Sequence, residues 1–129
     1  MKYLLDTSVF LWLRNEPERI RAAARARLTH AEAELALSAA SGWEIAFKQA
    51  LGRLVLPGAA RSWLPRALDE MRCEAIPLDL DHAIEAALLP MHHRDPFDRL
   101  IVAQARVEGM TLVTSDRALA GYDVKILRA

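Results

Sequence analysis

Five short, mostly apolar runs punctuate the chain: KYLL at 2–5, ELALS at 34–38, EAIPL at 74–78, MTLVT at 110–114 and VKIL at 124–127. Each is bounded by turn- or cap-forming residues and is too brief to be a helix, so each reads as a buried strand. Longer stretches with helical spacing lie between them. Residues 17–28 offer Ile20, Ala23, Ala24 and Leu28 as one face. Residues 41–51 offer Trp43, Ala46, Phe47, Ala50 and Leu51, an i, i+3, i+4, i+7, i+8 stripe. Residues 60–72 offer Trp63, Leu64, Ala67, Leu68 and Met71, and the Ala-rich residues 81–89 predict another short helix. The segment PFDRLIVAQARVE at 96–108 is apolar on most sides and predicts a central helix, while GRLVLPG at 52–58 predicts a loop after a helix stop at Gly52. Strands alternating with helices predict an α/β fold, a parallel sheet with helices on both faces. Trp43 and Trp63, lying on apolar stripes, are expected in the core.

Bulk properties narrow the classes. A chain of 129 residues predicts a single domain, 1–129. Seventeen basic residues balance seventeen acidic ones, so no overall positive field draws nucleic acid, and any such binding needs a local patch. The lone Cys73 excludes a disulfide within the chain and favours a reducing compartment. No apolar run reaches the roughly 18 residues that a membrane span needs. In MKYLLDTSVFLWL an acid interrupts the apolar run and RNEPER follows, which argues against an export signal. The expectation is a cytoplasmic protein with its N-terminus retained and no membrane partner.

An acid inside that first apolar segment needs a reason. Buried parallel strands are almost wholly apolar, which places Asp6 at the carboxyl end of the first strand. Open α/β sheets form their sites there. Glu44 in SGWEIAFK, Asp98 in HHRDPFDRLIVAQA and Asp116 in LVTSDRAL stand at comparable strand-to-helix junctions. Each also suits a helix start. Asp6 could cap a helix beginning DTS, and Ser41 with Glu44 has capping-box spacing. Glu44 and Lys48 have ion-pair spacing, and Asp95-Pro96-Phe97-Asp98 reads as cap, N1 proline and an N3 acid. Ser115 or Asp116 could cap the last helix. The two readings are compatible, since a capping carboxylate keeps a free oxygen. Four clustered carboxylates would repel unless a cation joined them, and an all-oxygen set suits Mg2+ or Mn2+. The chemistry this predicts is metal-dependent hydrolysis of a phosphate ester.

LLDTSVFLWL, SGWEIAFK, HRDPFDRLIVAQA and LVTSDRAL, in this order and spacing, resemble the PIN-domain proteins, and more narrowly the VapC-type toxins of bacterial toxin–antitoxin pairs. The resemblance runs from residue 2 to about residue 127, and GRLVLPG fits one branch of the family. It implies a three-layer α/β/α sandwich with a short, mainly parallel sheet, and Mg2+- or Mn2+-dependent endoribonuclease activity. It also implies an RNA substrate, a homodimer and a cognate VapB-type antitoxin that blocks the site. Asp6, Glu44, Asp98 and Asp116 match the family's four acids, and Asp98 rather than Asp95 fills its D-x-x-I-x-A position. On this basis Asp6, Asp98 and Asp116 would hold the metal, with Glu44 holding it or orienting water. Ser8, Thr114 and Ser115 are candidate donors to those acids, or simply caps.

His92, His93, Arg94 and Arg99 crowd Asp98 and could hold RNA phosphates, although Arg94 and Arg99 could equally pair with Asp95 and Asp98. A zinc site in HHRD lacks the accompanying cysteines. Arg14 to Arg27 form a basic stretch mixed with Glu16 and Glu18, best read as a solvated helix face. A receiver module would need an acid pair after the first strand, and an aspartyl-phosphate phosphatase a second acid where Ser8 stands. Neither fits. The remaining rival is a non-catalytic PIN-fold module that binds RNA or protein.

Overall fold

Five parallel strands form one sheet in the order β3-β2-β1-β4-β5. They are β1 (Lys2–Leu5), β2 (Glu34–Ser38), β3 (Cys73–Ile76), β4 (Thr111–Thr114) and β5 (Ile126–Arg128). The computed structural model describes residues 1–129. β1 is central, with Leu5 opposite Leu37 of β2 on one side and Val113 of β4 on the other. The two-residue alternation of each strand feeds two cores. Tyr3, Leu5, Leu35, Leu37 and Val113 point to one, and Leu4, Ala36 and Leu112 to the other.

The connections follow from handedness. From β1 to β3 the chain steps outward, and its crossovers carry α1 (Thr7–Asn15), α2 (Ala22–Leu28), α3 (Ala39–Ala50) and α4 (Ala60–Glu70). Phe10, Ala24, Ile45 and Trp63 from these helices pack in the first core. The chain then jumps back across the sheet to β4. A right-handed crossover running the opposite way lands on the opposite face. Accordingly α5 (Leu80–Leu88) and α6 (Pro96–Glu108) pack in the second core through Ala86, Ile101, Val102 and Ala105. The result is the three-layer α/β/α sandwich, with every strand parallel.

Several boundaries differ from the sequence reading. Residues 17–28 do not form one helix. A 3-10 turn over Pro17–Arg19 and α2 are separated by Ile20 in extended conformation, and Ile20 is buried while Ala23 is exposed. β3 begins at Cys73 and stops before Pro77, which has no N–H for the ladder. β5 starts two residues after Val124, because the Val124 N–H is still turned back to the Tyr122 carbonyl. Gly52 does end the third helical segment, at a φ of 72°.

The largest correction concerns α3. Its buried face is Ala40, Ser41 and Ile45, and the apolar stripe of Trp43, Phe47 and Leu51 faces out, Trp43 at 52% exposure. Trp43 is therefore not a core residue, whereas Trp63 is. The arginine-rich stretch is a solvated face as expected. There Arg14 pairs with Glu70, and Arg19 lies 4.8 Å over the half-buried Trp12 ring. No helix is long and apolar enough to cross a membrane.

Candidate acidic active site

At the carboxyl edge of the sheet β1 and β2 lead into helices on one face, while β4 follows the return crossover on the other. Ligand sites form at such switch points. Asp6 sits there. Its N–H extends the β1–β4 ladder to the Val113 carbonyl at 3.0 Å. Oδ1 caps α1 by accepting from Val9 N–H at 2.8 Å, and Oδ2 accepts from the Thr114 hydroxyl at 2.6 Å. Thr114, buried at the end of β4, in turn accepts from the Asp116 N–H at 3.0 Å. One hydroxyl thus fixes two of the acids. Asp116 caps the 3-10 turn Arg117–Gly121 through Oδ1, which accepts from Ala118 N–H at 2.9 Å, and its Oδ2 lies 3.1 Å from His93 Nε2.

Asp98 stands at N3 of α6, behind the Asp95 cap and Pro96 at N1, as the sequence predicts. Glu44 arrives differently. The cap of α3 is Ser38, so the Ser41–Glu44 capping box does not form and Glu44 lies in the second turn. Its Oε1 accepts from the Thr7 hydroxyl at 2.6 Å, and its Oε2 pairs with Lys48 at 2.7 Å. Ser41 Oγ completes that network, 2.9 Å from Thr7 Oγ1.

Asp6, Glu44, Asp98 and Asp116 line one cavity of about 190 Å3, together with Asp95, Thr7, Ser8 and Ser115. No apolar residue contributes to its wall. Its electrostatics are those of a site short of positive charge. Burial pushes the Asp6 carboxyl above the usual range, against the stabilising bonds from Thr114 and Val9, and the charges of Glu44 and Asp116 add to the effect. Asp98 is pushed up to about 6, first by burial, then by Asp95, with Asp116 and Asp6 adding and His93 opposing. A carboxyl raised by burial among like charges is stabilised in its ionised form by a bound cation, so the donor set fits a divalent ion. With oxygen donors dominating, it suits Mg2+ or Mn2+ better than a closed zinc centre.

Two participants were not assigned these roles from the sequence. His93 places Nε2 at 3.2 Å from Asp98 Oδ2 and 3.1 Å from Asp116 Oδ2, bridging two acids across the site. Thr7 is hidden in the weak DTS motif, and its partner Glu44 is 37 residues away. No local pattern announces the Thr7–Glu44 bond or the reach of His93 to Asp116, 23 residues on, and only the nearness of His93 to Asp98 is written in HHRDPFD. Of the other candidates, Ser8 and Ser115 line the cavity without contacting an acid, and Thr114 does contact one.

Arg99 is a correction. It is buried and donates to the carbonyls of Ala86, Leu89 and Pro90 at 2.8, 2.9 and 3.0 Å. Its guanidinium fastens the end of α5 to α6, and reaches neither RNA phosphate nor Asp95 or Asp98. Arg94 is exposed and lies on a neighbouring cavity rather than in the acid pocket. His92 packs edge-on against Tyr122 at 5.0 Å. A second cluster of Asp79, His82 and Glu108 is a structural pin. The His82 ring accepts from the Asp79 N–H at 3.1 Å and bonds Glu108 at 2.8 Å, tying α5 to α6.

Known proteins match this arrangement along most of the chain. The PIN domain profile covers residues 3–125. Ribonuclease VapC22 of Mycobacterium tuberculosis is 38% identical over 120 residues, which span 92% of this chain and 90% of that protein. In the crystal structure of VapBC2 from Rickettsia felis, bound to a DNA fragment from its promoter, a chain superposes with a TM-score of 0.75. It covers 100% of this chain and 99% of that one at 18% identity. A chain of FitAB bound to an IR36 DNA fragment superposes at 0.67 and 22% identity, over 98% and 94% of the two chains. At these identities the two superpositions bear on the fold alone.

Proposed function

The chain belongs to the PIN domain family, and from that premise we propose that it is a divalent-metal-dependent endoribonuclease, the VapC-type toxin of a toxin–antitoxin pair. The observation that carries the reading is the convergence of Asp6, Glu44, Asp98 and Asp116 on one wholly polar cavity at the switch point of the sheet. The relationship to a ribonuclease over nine-tenths of both chains supports it.

Asp6, Asp98 and Asp116, with Glu44, would hold Mg2+ or Mn2+. When bound, such an ion supplies Lewis-acid stabilisation of the phosphoryl group and lowers the pKa of water. The chain's own residues do the rest. Thr114 holds Asp6 in one rotamer and positions the Asp116 backbone, so two ligands are aimed before any ion arrives. Thr7 and Lys48 hold Glu44 at both oxygens, which leaves its carboxylate to orient water at the edge of the cavity. Ser8 and Ser115 offer hydroxyls to the same water shell. Hydrolysis forms a new P–O bond from water and breaks the bond to the leaving sugar oxygen. The proton that water gives up passes to a coupled set of carboxylates rather than to one assigned base, and a proton is returned to the leaving sugar oxygen, which departs as a hydroxyl. The protein acts in the cytoplasm as a homodimer, and a VapB-type antitoxin neutralises it.

The test is cleavage of a mixed structured RNA pool with Mn2+, with Mg2+ and with EDTA, beside an Asp98→Asn protein purified identically. Metal-dependent cutting by the wild type alone is expected. A failure of Mn2+ both to support cutting and to raise the melting temperature would leave Asp6 and Asp116 as caps, Asp98 as a first-turn acid and Glu44 as the partner of Thr7 and Lys48, in a non-catalytic binding module. Expression without a partner should arrest bacterial growth, and co-expression of the cognate antitoxin should restore it.

A further inference from the structure

A second cavity, of about 570 Å3, adjoins the acid pocket and shares Glu44 and Asp95 with it. It is built on aromatic rings. Trp43 stacks with Phe47, centroids 4.6 Å apart at 22°, and with Phe97 at 5.1 Å and 23°. Trp43 and Phe47 are about half exposed, an unusual state for large rings on a helix whose other face is fully buried. The rings are tied to the acids by the chain itself: Trp43 immediately precedes Glu44, and Phe97 immediately precedes Asp98. Lys48 is engaged by Glu44, whereas Arg53 and Arg94, on the same cavity, are exposed and unpaired.

Flat π surface beside free guanidiniums, continuous with an acid pocket, matches the chemistry of a single-stranded nucleic acid. Bases stack on the rings and phosphates meet the arginines. We propose that this shelf is the base-binding subsite of the enzyme. Trp43 is the middle of a Phe97–Trp43–Phe47 stack, and an unpaired nucleotide flanking the scissile phosphodiester stacks on the open end that Trp43 supports, at Phe47, while Arg94 and Arg53 hold the neighbouring phosphates. This rests on the ribonuclease reading above. A protein partner has a better surface elsewhere. Leu80, Ile84 and Leu88 form an exposed ridge along α5, a helix without a single Lys or Arg.

The test separates the subsite from the reading it rests on. Asp98→Asn serves as a non-cutting background, and binding of a short fluorescent single-stranded RNA is followed by anisotropy. Adding Trp43→Ala should weaken binding roughly tenfold or more, and Trp43→Phe, which keeps a π face, should recover most of it. An abasic strand of the same length should bind all three proteins alike. Arg94→Ala should instead weaken both strands and lower the salt slope by about one. Unchanged binding by Trp43→Ala, with wild type still cutting the RNA pool, would overturn the subsite and leave the ribonuclease standing. If Trp43→Ala keeps RNA affinity but sediments as a smaller species, the face belongs to a second copy of the chain and the subsite is wrong. Absence of both cutting and RNA binding by wild type would remove the ribonuclease reading, and the subsite with it.

Discussion

Asp98→Asn is expected to make the metal-free protein more stable while it abolishes cleavage. Asp98 has a folded pKa of about 6 against an ordinary value of 3.8. Between those two values the unfolded chain has lost the proton and the folded chain keeps it, so stability falls as pH rises from about 4 to about 6. Above that window the full cost is present, and below it none is. The shift converts to about 3 kcal/mol at 1.36 kcal/mol per pKa unit. The side chain is 27% exposed, so solvent screening brings this to about 1.5 kcal/mol. The favourable place of an anion at a helix N-terminus returns about 0.5 kcal/mol. The net gain on neutralising the side chain is about 1 kcal/mol, or roughly 3–5 °C in Tm for a domain of this size. Thermal melts in EDTA at pH 7.5 and pH 4 check it, because the difference between wild type and variant should vanish at the lower pH. Mn2+ should then raise the Tm of the wild type and barely move that of the variant. A lower Tm for the variant at pH 7.5 would refute the reasoning and make the helix start and the His93 pair the main business of Asp98.

Three further outcomes are expected. Thr114→Val should weaken Mn2+ stabilisation by roughly 10- to 100-fold in apparent affinity, since it unfastens Asp6 and the Asp116 backbone together, read by a metal titration of Tm. Arg99→Met should cost about 3 kcal/mol in a denaturant melt, because three carbonyls lose a charged donor; a raised KM with unchanged stability would instead reinstate a phosphate contact. Lys48→Ala should cost at most about 0.5 kcal/mol, the size of an i,i+4 surface pair, and a large loss would mean that Glu44 is held by Lys48 for another purpose.

The parts of this fold legible in the sequence are those written locally. DPFDRLIVAQA carries its own cap, its N1 proline and its central-helix character, and α6 follows it residue for residue. KYLLD gives both the strand and the acid that ends it. What periodicity cannot say is which apolar face is covered. α3 has two, and its stripe of large rings is the uncovered one, because the small residues Ala40 and Ser41 let that side of the helix approach the sheet. Arg99 departs from its expected place for a related reason. Its partners are carbonyls at the end of α5, and a carbonyl leaves no mark in a sequence. The convergence of the four acids was inferred from strand ends. The bonds that hold it, Thr114 to Asp6 across 108 residues and Thr7 to Glu44 across 37, exist only once the strands are ordered.

That strand order has a consequence during synthesis. Of the five strands the central one is made first, and one of its two neighbours, β4, is made fourth, after three strands and six helices. A nascent chain that has built everything through α5 carries Asp6 and Glu44 but neither Asp98, nor Asp116, nor the threonine that aims Asp6. A chain stalled there holds only two of the four acids proposed to hold the metal. On the proposed four-acid site, cleavage has to wait until α6, β4 and Asp116 have been made, and that interval is open for an inhibitor to be in place.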